Sequence, residues 1–340
     1  MTCLRQVTPA EFANSARAVG VNLPIEQTDA WDRFDTESGR RPWGKFLYFS
    51  EDGRLLALIS LTKYRVRGIA YLWARTGPVW TENRPGVLEE QKLVKALLAY
   101  VHRQDKTVVF VRLHTWAPLD NSRPIIQFIA HNRTVTVDLS GTEEEIFANM
   151  RPGGRRNIRK ALRQKDLYVR EYQDINSHKF GELYAVLQET AVRGKFGIHP
   201  LNTYMRMLTA LGSTHCRIFV AERGGVPLAW AMVTVSGSEG VYYYGASSPT
   251  GHKLYAADLL HWQIMRTLKA EGVRTYDFMG IASEMAPTLK GVTQFKRKFA
   301  RDITEVAPPR DYPIYGRIFA SMEQAHHFIQ KMRRFFRAHF

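Results

Sequence analysis

The stretch that decides the fold runs from Glu222 to Gly280: ERGGVPLAWAMVTV (222–235), GVYYYGASSPTG (240–251), YAADLLHWQIMRTLKAEG (255–272) and VRTYDFMG (273–280). A charged Gly-Gly turn opens an apolar strand, and an aromatic strand ends in small turn residues. Apolar residues three and four apart then mark a long helix, followed by another strand. The same order stands earlier in EDGRLLALISLTKY (51–64), GIAYLWARTGP (68–78), EEQKLVKALLAYVHRQD (89–105) and TVVFVRLH (107–114). The echo predicts an α/β (α+β) chain made of two tandem units of one design. Between the copies, TVTVDLSGTEEEIFANM (134–150) ends a strand and starts a helix, with Ser140 or Thr142 as N-cap and acids in the first turn. This places a boundary near Leu139. The tail IYGRIFASMEQAHHFIQKMRRFFRAHF (314–340) reads as a basic amphipathic helix too short for a domain, expected to dock on one of the units.

The chain's 340 residues suffice for two cores. Lysine and arginine number 48 against 32 acids, a net charge of +16 that points to polyanionic partners: nucleic acid, phosphorylated metabolites or an anionic membrane face. The two cysteines, Cys3 and Cys216, are too few for a zinc framework or a disulfide scaffold. The N-terminal stretch lacks an apolar signal core and no apolar run is long enough to span a bilayer, so a cytoplasmic protein is expected.

Three segments carry candidate chemistry. In MRPGGRRNIRKALRQKDLYVRE (150–171), Arg155, Arg159 and Arg163 recur every four residues with Arg156 and Lys160 alongside, opposite Ile158, Ala161 and Leu162. Such a cationic helix face suits phosphate tracking; a plain solvated face is the alternative. GVTQFKRKFARD (291–302) sets Lys296 beside Phe295, where partial desolvation would let its charge act on a developing oxyanion. By itself the segment reads more readily as a lysine snorkelling from an amphipathic helix. ETAVRGKFGIHPLNTYMRM (189–207) connects two helices and carries Arg193, Lys195, His199 and Tyr204. Tyr242, Tyr243 and Tyr244 precede a helix start whose SSPTGHKLYAA lacks the compact glycine spacing of a pyrophosphate-binding loop. Nucleophile-elbow, HExxH, CxxC and P-loop motifs are absent, and His326 and His327 read as surface residues.

The order of elements is that of the acetyltransferase (GNAT) fold. EQTDAW (26–31), ARTGPV (74–79), MRPGGRRNIRKAL (150–162), QETAVRGKFGI (188–198), YYYGASS (242–248) with the helix and strand after it, and above all GVTQFKRKF (291–299) together resemble the FemX and FemAB family of aminoacyl-tRNA-dependent peptidyltransferases. The resemblance implies two GNAT-like domains, 1–139 with a returning 311–340, and 140–310, without the coiled-coil arm of longer members. It implies transfer of an amino acid from aminoacyl-tRNA to an amine of a peptidoglycan stem peptide, carried on UDP-MurNAc-pentapeptide or lipid II. No cofactor or metal is implied, and a monomer with peripheral contact to the inner membrane face is expected. Lys296 takes the role of oxyanion or leaving-group stabiliser with Phe295 shaping its site, and Tyr244, His199, Tyr204, Arg193 and Lys195 line the acceptor site. Arg155, Arg156, Arg159, Lys160 and Arg163 are expected to contact tRNA. Two positions depart from the family: His199 stands where an arginine is usual, and Asp35, four residues after Trp31, where many members carry lysine. A neutral imidazole grips phosphate less firmly than a guanidinium, so Arg193 or Lys195 substitutes or the acceptor is altered. The departures leave open the family branch that aminoacylates antibiotic scaffolds. An acyl-CoA N-acyltransferase and a non-catalytic RNA- or membrane-binding module are the other readings, and no carboxylate stands out as a general base.

Overall fold

Strand and helix placement follow local chemistry closely, as the second unit shows. In the computed structural model, residues 3–82, 84–126, 130–173 and 175–339 are described, and they divide into two units: 1–21, 26–130 and 307–340 in the first, 22–25 and 131–306 in the second. In the second, strands lie in the order Thr304–Glu305, Arg133–Asp138, Thr275–Gly280, Glu239–Ser247, Val226–Ser236, Cys216–Arg223, Leu167–Tyr172. Gly224 (φ 57°) and Gly225 (φ 78°) make the two-residue turn joining Cys216–Arg223 to Val226–Ser236, where both residues need the left-handed region. Thr142 and Glu145 form a capping box that starts the helix Glu143–Asn149, and Pro152 opens the next, Pro152–Leu162, at a position where a missing N–H is harmless.

One pair in this sheet is parallel, Glu239–Ser247 with Thr275–Gly280, joined by the helices Pro249–Lys253 and Ala256–Ala270. Its pairing ends after Glu239↔Thr275, Gly240↔Tyr276 and Val241↔Asp277, so the two strands part toward their C-terminal ends. On one face, Ile158, Leu260, Ile264 and Leu268 pack on Ala229, Ala231 and Val233. On the other, the Trp230 ring meets Phe180 and its Nε1 donates to the Leu183 carbonyl at 2.7 Å. Alternate residues of one strand thus enter two layers, as the pleat requires. Helices Ser177–Gly194 and Leu201–His215 fill the connection between Leu167–Tyr172 and Cys216–Arg223, leaving no inserted arm.

The first unit repeats the design. Arg41–Phe49 and Leu55–Val66 form a hairpin, and Ile69–Trp73 lies parallel to Val108–His114 across the helix Val87–Gln104. Next to Val108–His114 runs Pro309–Pro313, from the far end of the chain, held by a buried two-pronged ion pair: Arg112 Nε donates to Asp311 Oδ1 at 2.6 Å and Nη2 to Oδ2 at 2.9 Å. The terminal helix Gly316–His339 belongs to this unit and seats Phe319 against Phe110. The side chains of 330 and 333–340 in the predicted amphipathic tail lie outside the described residues. Strand Arg133–Asp138 pairs with Thr275–Gly280, so, apart from residues 22–25, the chain passes between units at 130/131 and 306/307, where the sequence pattern places the first passage at 139/140 and the resemblance the second at 310/311. Among the described residues no helix is long and apolar enough to cross a membrane.

Candidate active site

Lys296 ends the helix Lys290–Lys296, which Thr293 ties to the segment just after the strand Thr275–Gly280: its Oγ1 accepts the Ala282 N–H at 2.8 Å and donates to the Leu289 carbonyl at 2.8 Å. The strand itself is irregular there. Between Asp277 and Gly280 its pairing with Arg133–Asp138 slips, and Met279 sits at φ 60°, a left-handed conformation unusual for a side chain of this size. The Asp277 carboxylate stabilises the kink, accepting the Met279 N–H at 2.6 Å and the Thr134 hydroxyl. The kink aims the Gly280 carbonyl at Lys296, whose Nζ donates to it at 2.8 Å. Gly280 is required: a Cβ there would stand 2.6 Å from Cγ of His131.

The electrostatics around Lys296 are unusual. Burial holds the Lys296 ammonium down to about 8, with Asp277 opposing the shift. Burial and then the charge of Lys296 lower His131, and His261, buried and facing the same cation and Lys298, is lowered to about 3. Both imidazoles are therefore neutral near pH 7 and add no competing charge. His261 Nδ1 lies 2.9 Å from the Tyr276 hydroxyl, inside a cage of Tyr242, Phe278, Phe295 and Phe299 rings. Phe295 packs on that cage, but the ammonium over its ring is that of Lys298, at 5.1 Å. Lys298 is anchored by Asp258, at 2.9 and 3.1 Å, which also accepts from Asn157 Nδ2 at 3.1 Å. Its charge thus serves the scaffold, whereas that of Lys296 meets a neutral carbonyl.

Three of the expected acceptor residues come together where Tyr244 of the diverging strand Glu239–Ser247 meets Tyr204 of the helix Leu201–His215 and His199 just before that helix. Met232 pairs with Tyr244 and Val233 with Tyr242, so Tyr243 is the extra residue of a β-bulge. Without it Tyr242 and Tyr244 would share a face; with it the Tyr242 ring lies 4.4 Å from His261 and the Tyr244 ring 4.9 Å from Tyr204. His199 completes the second group, its ring 6.2 Å from Tyr244 and its backbone N–H donating to the Tyr204 hydroxyl at 3.2 Å. Tyr204 is buried, which pushes its phenol up to about 12 and keeps it a neutral hydrogen-bonding group. Arg193 is drawn elsewhere: its Nη2 donates to the Ser247 carbonyl at 2.6 Å, closing the end of the same strand. Exposed Lys195 caps the helix Ser177–Gly194 at φ 53°.

The basic helix divides. Arg156, Arg159, Lys160 and Arg163 are exposed, Arg159 over the Phe147 ring and Lys160 over the Tyr255 ring. Arg155 instead turns back on the preceding helix, its Nη1 donating to the Ala148 and Met150 carbonyls at 2.6 and 3.0 Å. It binds acceptors at a helix end, a use that its spacing does not announce, and Arg301 Nη2 also donates to the Ala148 carbonyl at 3.3 Å. The glycine-poor turn after Glu239–Ser247 forms a five-residue helix whose Ser248 hydroxyl accepts the Gly251 N–H at 3.0 Å; Tyr255, at φ 57°, separates it from Ala256–Ala270. Among the described residues no group of three or more His, Cys, Asp or Glu is placed to hold a metal ion.

His131, Asp277, Gly280 and the Asp258–Lys298 pair were not singled out in the sequence. For Asp258 and His261 a signal exists, since both interrupt the buried stripe of Ala256–Ala270. For His131 none does: it lies 165 positions before Lys296.

An acetyltransferase (GNAT) domain model matches residues 148–297. Comparison with curated protein sequences finds no match. Among solved structures the chain is similar to FemX, with a TM-score of 0.73 at 12% identity, covering 94% of this chain and 100% of that one. It is similar to L-PGS from Bacillus licheniformis (TM-score 0.52, 15% identity, 91% and 93% covered). It also resembles a tandem GNAT protein from the clavulanic acid biosynthesis pathway (TM-score 0.51, 8% identity, 92% and 99% covered). At these identities the likeness is one of fold, and that fold is an acyltransferase architecture of two GNAT-like domains.

Proposed function

We propose that the protein is an aminoacyltransferase that moves an amino acid from aminoacyl-tRNA to an amine on the stem peptide of a peptidoglycan precursor, UDP-MurNAc-pentapeptide or lipid II. The observation that carries this reading is the Lys296 ammonium, held by a kinked strand end and lowered to about 8 within a fold like that of FemX. The acceptor amine attacks the ester carbonyl of the charged tRNA, the new C–N bond forms, and the ester C–O bond breaks. The leaving ribose oxygen regains the proton the amine gives up. The ester is already activated, so the protein's work is to align the two reactants and steady the charge on the tetrahedral oxygen. Lys296 supplies that charge by exchanging the Gly280 carbonyl for the developing oxyanion. Tyr244, Tyr204 and His199 form an aromatic wall for the acceptor, and the exposed cations of Pro152–Leu162 and Arg163 serve the RNA phosphates.

The test is purified protein with a full set of charged tRNAs and both UDP-linked and lipid-linked stem peptides, read by mass spectrometry. Failure to extend any stem peptide sinks the proposed acceptor. A second acceptor class, a small amine of secondary metabolism, is favoured by one observation: His199 replaces the usual cation and Arg193 is committed to Ser247. The same assay with such amines separates the two, and titration with acetyl-CoA tests the acyl-CoA alternative.

A further inference from the structure

Among its described side chains, the terminal helix Gly316–His339 is most deeply seated at its start. Phe319 is 1% exposed with its ring 5.2 Å from Phe110, and Tyr315 and Met322 pack on the same cluster. Farther along, Phe328 is 65% exposed and Met332 39%, with Ile329 half-buried between them. Ala325, Phe328, Ile329 and Met332 are spaced three and four apart, and the sequence continues the spacing at positions 335 and 336, both phenylalanine. At 3.6 residues per turn these six positions fall within an arc of about 120°. Positions 331 and 333, lysine and arginine, border the arc on its two sides, and arginines 334 and 337 lie behind it. Glu323 is the last acid in the chain.

We infer that the distal half of this helix is a docking surface for an anionic phospholipid membrane, lying in the plane of the headgroups with Phe328 and Met332 inserted. An apolar arc bordered by cations on both sides, with no acid, matches a surface that is apolar beneath and negative above. A second copy of the chain is the poorer occupant, because two such helices would bring like charges together on a protein already at +16. The inference concerns membrane attachment and stands apart from the transfer reaction.

The experiment is co-sedimentation of the full chain with vesicles of phosphatidylcholine alone and of phosphatidylcholine mixed with phosphatidylglycerol, at low and high salt. Binding to the anionic vesicles is expected to exceed binding to neutral ones at least tenfold, roughly fivefold being the contribution of each cation near such a surface, and to weaken with salt. Phe328→Glu combined with Met332→Glu should reduce it at least another tenfold with an unchanged thermal melt, since both side chains are exposed. Absence of binding, equal binding to both vesicles, or wild-type binding by the double variant overturns the inference. So does a concentration-dependent dimer that the double variant abolishes while vesicle binding is missing.

Discussion

Replacing Lys296 by arginine should change how transfer depends on pH more than how fast it is at its best. With its ammonium held down to about 8, Lys296 is protonated in about nine-tenths of molecules at pH 7 and about one-tenth at pH 9. If the cation steadies the oxyanion, turnover carried by it falls roughly tenfold over that interval. A guanidinium stays charged throughout, so the ratio of wild-type to Lys296→Arg turnover should drop about tenfold from pH 7 to 9. Taking the ratio removes the ionisation of the acceptor amine and the alkaline lability of the ester, which both proteins share. Lys296→Gln should lose roughly 100- to 1000-fold at pH 7, the scale of one oxyanion donor. The assay is single-turnover transfer from a radiolabelled aminoacyl-tRNA across the pH range. A constant ratio would refute the charge role, and a ratio that rises with pH would make the neutral amine a general base instead.

Three further outcomes are expected. Neutralising Arg156, Arg159, Lys160 and Arg163 together should flatten the salt dependence of tRNA binding by about 3 in log–log slope, while Arg155→Ala should leave the slope nearly unchanged and lower stability by about 1–3 kcal/mol, as filter binding and denaturant melts will report. Gly280→Ala pushes a Cβ to 2.6 Å from Cγ of His131 and should slow transfer up to roughly 100-fold in a folded protein, with His131→Ala in the same chain restoring much of the loss. Asp311→Ala strands the buried Arg112 guanidinium and should destabilise the first unit by about 3–5 kcal/mol, and a loss below about 1 kcal/mol in urea titration would contradict that account.

The duplicated design was legible because each step is local: the Gly224-Gly225 turn, the tyrosine strand, and the apolar stripe of Ala256–Ala270 all announce themselves within a few residues. The passage between units was harder to read. TVTVD (134–138) reads as a strand in either unit, and only its pairing with Thr275–Gly280, about 140 positions later, assigns it. The two-residue strands Arg123–Pro124 and Thr304–Glu305 carry no periodicity at all. In the site, the tyrosines and Lys296 were visible from sequence resemblance, whereas the bulge at Tyr243 and the kink at Met279 arise from pairing partners elsewhere in the sheet. The backbone contacts of Arg155 were hidden for a related reason. Helical spacing counts it with the exposed cations, but its place just after Met150 brings it within reach of the preceding helix's carbonyls.

The strand Pro309–Pro313 sits between Val108–His114 and Arg123–Pro124, yet it is made after the whole second unit. On the ribosome, the first unit must therefore wait with a gap in its sheet while residues 131–306 are synthesised and become able to fold. Maturation runs backwards along the chain, the later-made half completing first. Until Asp311 emerges, Arg112 has no carboxylate to meet, and the nascent protein carries an open β-edge that makes chaperone capture most useful up to that point.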